Sequence, residues 1–210
     1  ICLGVGYAAL TSGWVKIPTS SALSSLSSNS HGSGSAPVEG GEAPNWAGVS
    51  ANVSKSVVSI QTVVDQGEAK GSGAILDKEG HIVTNNHVVS GAKQIQVTLD
   101  NGDIYSAKVV GTDSTTDLAV IKLDNPPKDL TPITFANSDS LTPGEPVMAI
   151  GNPLGYDGTV TTGIVSALNR PVTVMDEENN NAIVTNAVQI DAAIKPGDSG
   201  GPTFNAAGQV

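Results

Sequence analysis

Residues 71–89 read GSGAILDKEGHIVTNNHVV, two apolar runs separated by a polar, glycine-containing stretch. Strands favour Val, Ile and Thr, whereas Gly and Asp are common in turns, so this stretch predicts two antiparallel strands joined by a turn. Similar runs recur on both sides of a proline-marked connector, DNPPKDLTP, at residues 124–132. The predicted strands cover residues 56–64, 71–77, 81–86, 94–102, 105–113 and 118–123 before the connector, and 146–152, 158–168, 181–191 and 201–205 after it.

Two successive sets of short strands predict an all-β fold made of two packed antiparallel barrels. We place the first barrel at about residues 46–125 and the second at about 130–210. The Asp-Asn-Gly turn at residues 100–102 is a strong hairpin signal. No long helical pattern competes with this interpretation. Because the sequence stops at Val210 within a predicted hairpin, we expect the second barrel to be incomplete at the C-terminus.

The first 45 residues differ in composition from the rest. Residues 1–17 begin with the apolar run ICLGVGYAAL, which is shorter than the roughly 20 residues that span a bilayer. We interpret it as part of a membrane anchor, and an ordinary buried segment is the alternative. Residues 18–45 are rich in Ser and Gly and predict a disordered tether. The folded domain then occupies residues 46–210.

Composition excludes several classes of function. The net charge of −10 argues against nucleic acid as a partner, because no basic patch offsets the acidic field. The single cysteine, Cys2, excludes an intrachain disulfide, and three scattered histidines predict no metal site. We therefore expect a chain without a cofactor.

Three residues form the candidate catalytic set: His87 in IVTNNHVV, Asp117 in TDSTTDLAVIKL and Ser199 in PGDSGGP. A serine hydroxyl is a weak nucleophile unless an imidazole takes its proton. That imidazole needs a carboxylate to hold one tautomer and to stabilise its charged form. The order His, Asp, Ser along the chain is that of the chymotrypsin-like double barrel.

The glycines around Ser199 predict an oxyanion hole. Gly197 can adopt backbone angles that turn its N–H, together with the N–H of Ser199, toward one point. Gly200 and Gly201 leave room for the imidazole and the substrate. Two such amides stabilise the oxyanion of a tetrahedral intermediate by about 3 kcal/mol per donor.

Each candidate has an alternative. Ser199 could be a turn serine, His87 a histidine at a strand end, and Asp117 a carboxylate capping a strand. His31 lies in the tether and His81 in a probable turn, and Asp113 is the nearest rival carboxylate. Four further aspartates are interpreted as loop-shaping or solvated turn residues: Asp139, Asp157, Asp191 and Asp198.

These stretches resemble the HtrA (Deg) family of serine proteases. The resemblance extends to AIGNPLGYDGTVTTGIVSALNR and QIDAAIKPGDSGGPTFNAAGQV, and it covers most of residues 54–210 in order. It implies a trypsin-like double β-barrel that needs no ATP or metal and cleaves misfolded or unfolded proteins in the bacterial cell envelope. It implies His87 as general base, Asp117 as its orienting partner, Ser199 as nucleophile, and the amides of Gly197 and Ser199 as the oxyanion hole.

The resemblance also implies surroundings for this domain: a membrane-anchored protease on the extracytoplasmic side, a homotrimer, and a PDZ domain beyond Val210. The stretch RPVTVMDEENNNAIV at residues 170–184 corresponds to a regulatory loop. The family usually has Asn at positions 195 and 198 and Leu at position 203, where this chain has Lys195, Asp198 and Thr203. A chaperone-like or scaffolding protein with little proteolysis is the alternative function, and an esterase is a third one that the strand-only pattern disfavours.

Overall fold

The fold is that of a computed structural model, which describes residues 43–65, 67–152, 158–175 and 182–210. The predicted anchor and residues 18–42 of the predicted tether lie outside these ranges. Among the described residues, no helix is long and apolar enough to cross a membrane.

The described chain is mainly β-structure. Two short α-helices are present, α1 (Trp46–Val53) and α2 (Asn86–Val89), with 3₁₀ turns at Ser54–Ser56 and Ser138–Ser140. The strands are β1 (Val57–Val64), β2 (Gly67–Ile75), β3 (His81–Asn85), β4 (Gln94–Thr98), β5 (Ile104–Asp113), β6 (Leu118–Leu123), β7 (Pro146–Gly151), β8 (Thr159–Met175), β9 (Ala182–Ile190) and β10 (Thr203–Phe204).

The first six strands close into an antiparallel barrel in the order β1-β2-β3-β6-β5-β4. Alternate residues of each strand point inward, and branched aliphatic side chains fill the interior, among them Val58, Ile60, Ile82 and Ile121, all fully buried. The Asp-Asn-Gly turn joins β4 to β5 as the sequence predicts.

The remaining strands form a four-stranded sheet in the order β10-β7-β8-β9, which does not close within the described residues. The all-β prediction, with an incomplete second barrel, is therefore confirmed. Two strands extend beyond the prediction by several residues: β2 begins four residues earlier, at Gly67, and β8 continues past residue 168 to Met175 and pairs with β9. The ends of the predicted regulatory loop thus lie in a two-stranded ribbon, and its acidic centre falls outside the described residues.

A second apolar cluster joins the two strand sets. It contains side chains from α1, β1, β2, β7 and β10, and Phe204 and Met148 are fully buried at its centre. Burial of one such side chain contributes about 1.5–3 kcal/mol relative to exposure. This cluster holds β7 and β10 against β1 and β2 of the first barrel.

The sequence pattern does not predict helix α1. Asn45 caps it, since its side-chain oxygen accepts a hydrogen bond from the Gly48 N–H at 3.1 Å. Val53 is buried, and Trp46 and Val49 pack against the second apolar cluster. Packing against the core, rather than a strong helical pattern, therefore accounts for this helix.

Candidate active site

His87 lies on α2, the single helical turn that follows β3. The chain leaves β3 at Asn85, and the N–H of Asn86 donates to the main-chain oxygen of Asp117 at 3.0 Å. Val88 and Val89 on the same turn are buried in the barrel. These contacts fix the turn and therefore the position of the His87 backbone that carries the imidazole.

Asp117 is the last residue of the turn between β5 and β6, directly before β6 begins at Leu118. Its φ of +55° is in the left-handed region, which Asp and Asn tolerate better than most residues. The side-chain amide of Asn85 donates to the Asp117 main-chain oxygen at 2.9 Å. Two donors therefore hold the backbone of this strained residue, the side-chain amide of Asn85 at the end of β3 and the backbone N–H of Asn86 at the start of α2.

The carboxylate of Asp117 receives two hydrogen bonds from His87. The His87 N–H donates to Oδ1 at 2.9 Å, and ring Nδ1 lies 2.7 Å from Oδ2. An ionised carboxylate only accepts, so the proton of a neutral imidazole resides on Nδ1 and the lone pair on Nε2. The side chain of His87 is 57% exposed and that of Asp117 22% exposed, which leaves the ring accessible to a reactant.

Ser199 lies on the loop between β9 and β10, and this loop is pressed against β2 and β3. The Ser199 carbonyl oxygen accepts a hydrogen bond from the Ser72 N–H at 2.7 Å. A Cβ added to Gly200 would lie 2.3 Å from the main-chain oxygen of Ser72 and 3.0 Å from the backbone nitrogen of Asn85. A glycine at position 200 therefore lets the serine loop approach the end of β3, where the turn that carries His87 begins.

The structure brings the loop of Ser199 and the His87–Asp117 pair to the same end of the first barrel. Among the described residues, no hydrogen bond joins the Ser199 hydroxyl to the His87 ring. Catalytic hydrogen bonds are often long before a substrate binds, so this arrangement remains compatible with a triad.

The two predicted oxyanion donors are unengaged within the described chain. Gly197 has φ +95°, as the prediction requires of a glycine there. Neither its N–H nor the N–H of Ser199 donates to a described residue. Asp198 shapes the loop between them, because its Oδ2 accepts from the Lys195 N–H at 2.8 Å and its own N–H donates to the Lys195 oxygen at 3.0 Å.

The rival residues have other partners. His81 begins β3, and its ring Nδ1 lies 2.6 Å from Oδ2 of Asp77 across the preceding turn. Burial raises the pKa of Asp77, but hydrogen bonds from the His81 backbone and ring outweigh it and lower that pKa below its usual value. This pair stabilises a turn.

Asp113 forms hydrogen bonds within its own hairpin. Its carboxylate accepts from the Thr116 hydroxyl at 2.8 Å and from the Thr115 N–H at 2.9 Å, and these bonds lower its pKa. Asp191 accepts from the Ile164 N–H at 2.7 Å, and Asp139 is exposed in a 3₁₀ turn. His31 and Asp157 lie outside the described residues.

Sequence reasoning missed two residues that support the site, Asn85 and Ser72. Each bonds to a partner more than 30 positions away, so their roles depend on strand pairing. The only local signal was an unusual run of polar residues, TNN, before His87. As for metals, no cluster of three or more His, Cys, Asp or Glu side chains in the described part of the chain could hold an ion.

Comparison with known families identifies the domain. The family model described as the trypsin-like peptidase domain matches residues 71–210, two thirds of the chain. The chain belongs to this family. Serine protease PepD of Mycobacterium tuberculosis is 45% identical over an alignment of 171 residues that covers 77% of this chain and 37% of PepD.

Two further proteins identify the branch of the family. A probable periplasmic serine endoprotease, DegP-like, of Pseudomonas savastanoi is 47% identical over 143 residues, covering 68% of this chain and 28% of that protein. The solved structure of the HtrA-type protease AlgW with tripeptide superposes with a TM-score of 0.69 at 40% identity, covering 80% of this chain and 52% of AlgW.

The HtrA resemblance and the trypsin-like fold are therefore confirmed, and the chain carries a trypsin-like peptidase domain. The chain spans about a third of the length of the curated relatives that it matches.

Proposed function

We propose that the protein is an endopeptidase that hydrolyses peptide bonds of unfolded or misfolded proteins through His87, Asp117 and Ser199. The observation that carries this proposal is the double hydrogen bond between His87 and the Asp117 carboxylate, at the end of the barrel against which the serine loop packs. This pairing leaves Nε2 as the basic nitrogen, which is what a general base for a serine requires.

The reaction proceeds in two half-reactions. Nε2 of His87 takes the Ser199 proton while Oγ attacks the scissile carbonyl carbon, and Asp117 stabilises the imidazolium that forms. The N–H groups of Gly197 and Ser199 stabilise the oxyanion, each by about 3 kcal/mol. The imidazolium then protonates the leaving amine, and water, activated by the same ring, hydrolyses the acyl-enzyme.

The surroundings of the domain are part of this proposal. The DegP-like relative is named periplasmic, which supports a location in the bacterial cell envelope for this protein. The apolar segment at residues 1–17 is the candidate anchor, with the protease domain on the extracytoplasmic side. The homotrimer and the PDZ domain rest on the family resemblance.

Labelling with a fluorophosphonate tests the chemistry, using the full-length protein, its Ser199→Ala variant and a Ser90→Ala control. Ser90 is exposed and ends α2 with a backbone N–H bond that alanine keeps. We expect Ser199→Ala to abolish labelling and to lower kcat/KM by about 10⁴-fold or more. Ser90→Ala should behave as wild type. Turnover by Ser199→Ala within about tenfold of wild type would refute the assignment.

A substrate comparison tests the specificity. A reduced, unfolded protein and its native, disulfide-bonded form are offered to the enzyme at equal concentration. We expect cleavage of the unfolded form and slow or no cleavage of the native one. Equal rates on both would contradict the proposed substrate class while leaving the serine chemistry intact.

A further inference from the structure

Ser72 on β2 connects the first barrel to the serine loop through both its backbone and its hydroxyl. Its side chain is fully buried. Its N–H donates to the Ser199 oxygen at 2.7 Å, and its Oγ donates to the Gly197 oxygen at 2.8 Å. The same Oγ accepts from the N–H of Asn152, directly after β7, at 2.8 Å. One hydroxyl therefore bridges β7 and the predicted oxyanion loop.

These bonds fix the plane of the Gly197–Asp198 peptide unit from both edges. Its carbonyl oxygen is held by the Ser72 hydroxyl, and its N–H is held by the Lys195 oxygen at 3.0 Å. The preceding peptide carries the Gly197 N–H and follows Pro196, whose ring fixes φ. With these constraints, the direction of the Gly197 N–H depends mainly on the torsions on either side of the Gly197 Cα.

Gly197 itself offers little resistance to rotation. Glycine populates positive and negative φ about equally, so its observed φ of +95° is not enforced by its own sterics. The bond from Ser72 to the Gly197 carbonyl supplies the restraint that the residue lacks.

We propose that Ser72 is a positioning residue for catalysis: its buried hydroxyl holds the Gly197–Asp198 peptide in the orientation that points the Gly197 N–H at the oxyanion. This inference rests on the proposed function, since it assumes that Gly197 donates to the tetrahedral intermediate. Ser72 does not touch the reacting atoms and acts through the loop.

Polarity, rather than packing, distinguishes this position. A buried hydroxyl is unfavourable unless its hydrogen bonds are made, and an alanine would fit the same strand site. The residue directly opposite on β1 is Ser59, also buried, and no hydrogen bond within the described chain links its side chain to the serine loop. Ser59 is therefore a matched control in the same sheet.

The test compares the Ser72→Ala and Ser59→Ala variants of the full-length protein. For each we would measure kcat and KM with a peptide substrate, and the inhibition constant of a peptide boronate, in which one boronate oxygen occupies the oxyanion position. We expect Ser72→Ala to lower kcat by about 10- to 100-fold, somewhat less than loss of an oxyanion donor outright. KM should change by less than about twofold, because substrate binding is retained.

The inhibition constant of the boronate distinguishes a loss of oxyanion-hole positioning from a general loosening of the fold. The affinity of the boronate should fall in parallel with kcat for Ser72→Ala, while Ser59→Ala keeps wild-type values. Wild-type kcat in Ser72→Ala, equal losses in both variants, or a change confined to KM would each overturn the inference. None of these outcomes affects the Ser199→Ala test, so the two proposals fail separately.

A second variant covers the case in which Ser72→Ala does not fold by circular dichroism. Ser72→Cys has a similar shape and keeps a weak donor, but its longer hydrogen bond displaces the Gly197 carbonyl. We expect a lower kcat with unchanged KM, and a folded Ser72→Cys with wild-type kcat and boronate affinity would also overturn the inference.

Discussion

Replacing Asp117 by Asn tests which carboxylate orients His87, and Asp113→Asn provides the matched control. Both residues lie on the β5–β6 hairpin, and each substitution removes one negative charge there. Asn is the appropriate replacement at position 117 because it tolerates the observed φ of +55°. The main-chain oxygen that accepts from Asn85 and Asn86 is also unchanged.

The expected magnitude follows from the hydrogen bonds of the Asp117 carboxylate. In the wild type, Oδ2 lies 2.7 Å from Nδ1 and holds the proton on that nitrogen. The amide group of Asn can donate to Nδ1 instead, which places the imidazole proton on Nε2 and removes the base. A wrong tautomer lowers kcat by about 10⁴-fold, or about 5.4 kcal/mol of transition-state stabilisation.

Asp113→Asn should leave the tautomer intact. Its carboxylate contacts only Thr115 and Thr116 among the described residues, so we expect less than about a tenfold change in kcat. The assay is kcat with a peptide substrate, together with histidine nitrogen NMR to identify the protonated ring atom. The reasoning fails if Asp113→Asn is the damaging variant, or if Asp117→Asn keeps the proton on Nδ1 and loses activity all the same.

Two further predictions concern stability. Gly200→Ala should lower the free energy of unfolding by more than about 2 kcal/mol and abolish fluorophosphonate labelling. The new Cβ would lie 2.3 Å from the main-chain oxygen of Ser72, and residue 200 has a φ of +84°. Gly91 has a comparable φ of +68° with open space around it, so Gly91→Ala should lower the free energy of unfolding by only about 1 kcal/mol. Equal losses of stability for the two variants in thermal or urea unfolding would contradict the clash at Gly200. Asp77 has a lowered pKa in the folded state, so its ionised form stabilises the protein above its usual pKa of 3.8 and that contribution disappears as the pH falls through the folded value. The stability difference between wild type and Asp77→Asn should therefore shrink as the pH falls below about 3.8, and a difference independent of pH would refute this cause.

The strands could be predicted from the sequence because their signals are local. Alternating Val, Ile and Thr and the turn residues between them place most of the strands within a few residues of their observed positions. The course of β8 beyond residue 168 was not predictable in this way. Pairing with β9 extends it through Pro171 to Met175, and that pairing is a long-range property.

The candidate triad was accessible to sequence reasoning because each residue lies within a distinctive motif. The support around it was not. Asn85 reaches the Asp117 backbone across 32 positions, and Ser72 reaches Gly197 across 125. Neither contact leaves a periodic pattern, since each joins a strand of the first barrel to a loop placed beside it by the fold.

The two parts of the site, the His87–Asp117 pair and the Ser199 loop, are not held equally firmly. His87 and Asp117 are both held by β3 and the β5–β6 hairpin, within a closed barrel that has no free edge. Ser199 instead follows β9 and precedes the two-residue strand β10, and its hydrogen bond to Ser72 crosses between the two strand sets. A change that loosens the second sheet should therefore displace Ser199 and the oxyanion amides before it disturbs the His87–Asp117 pair.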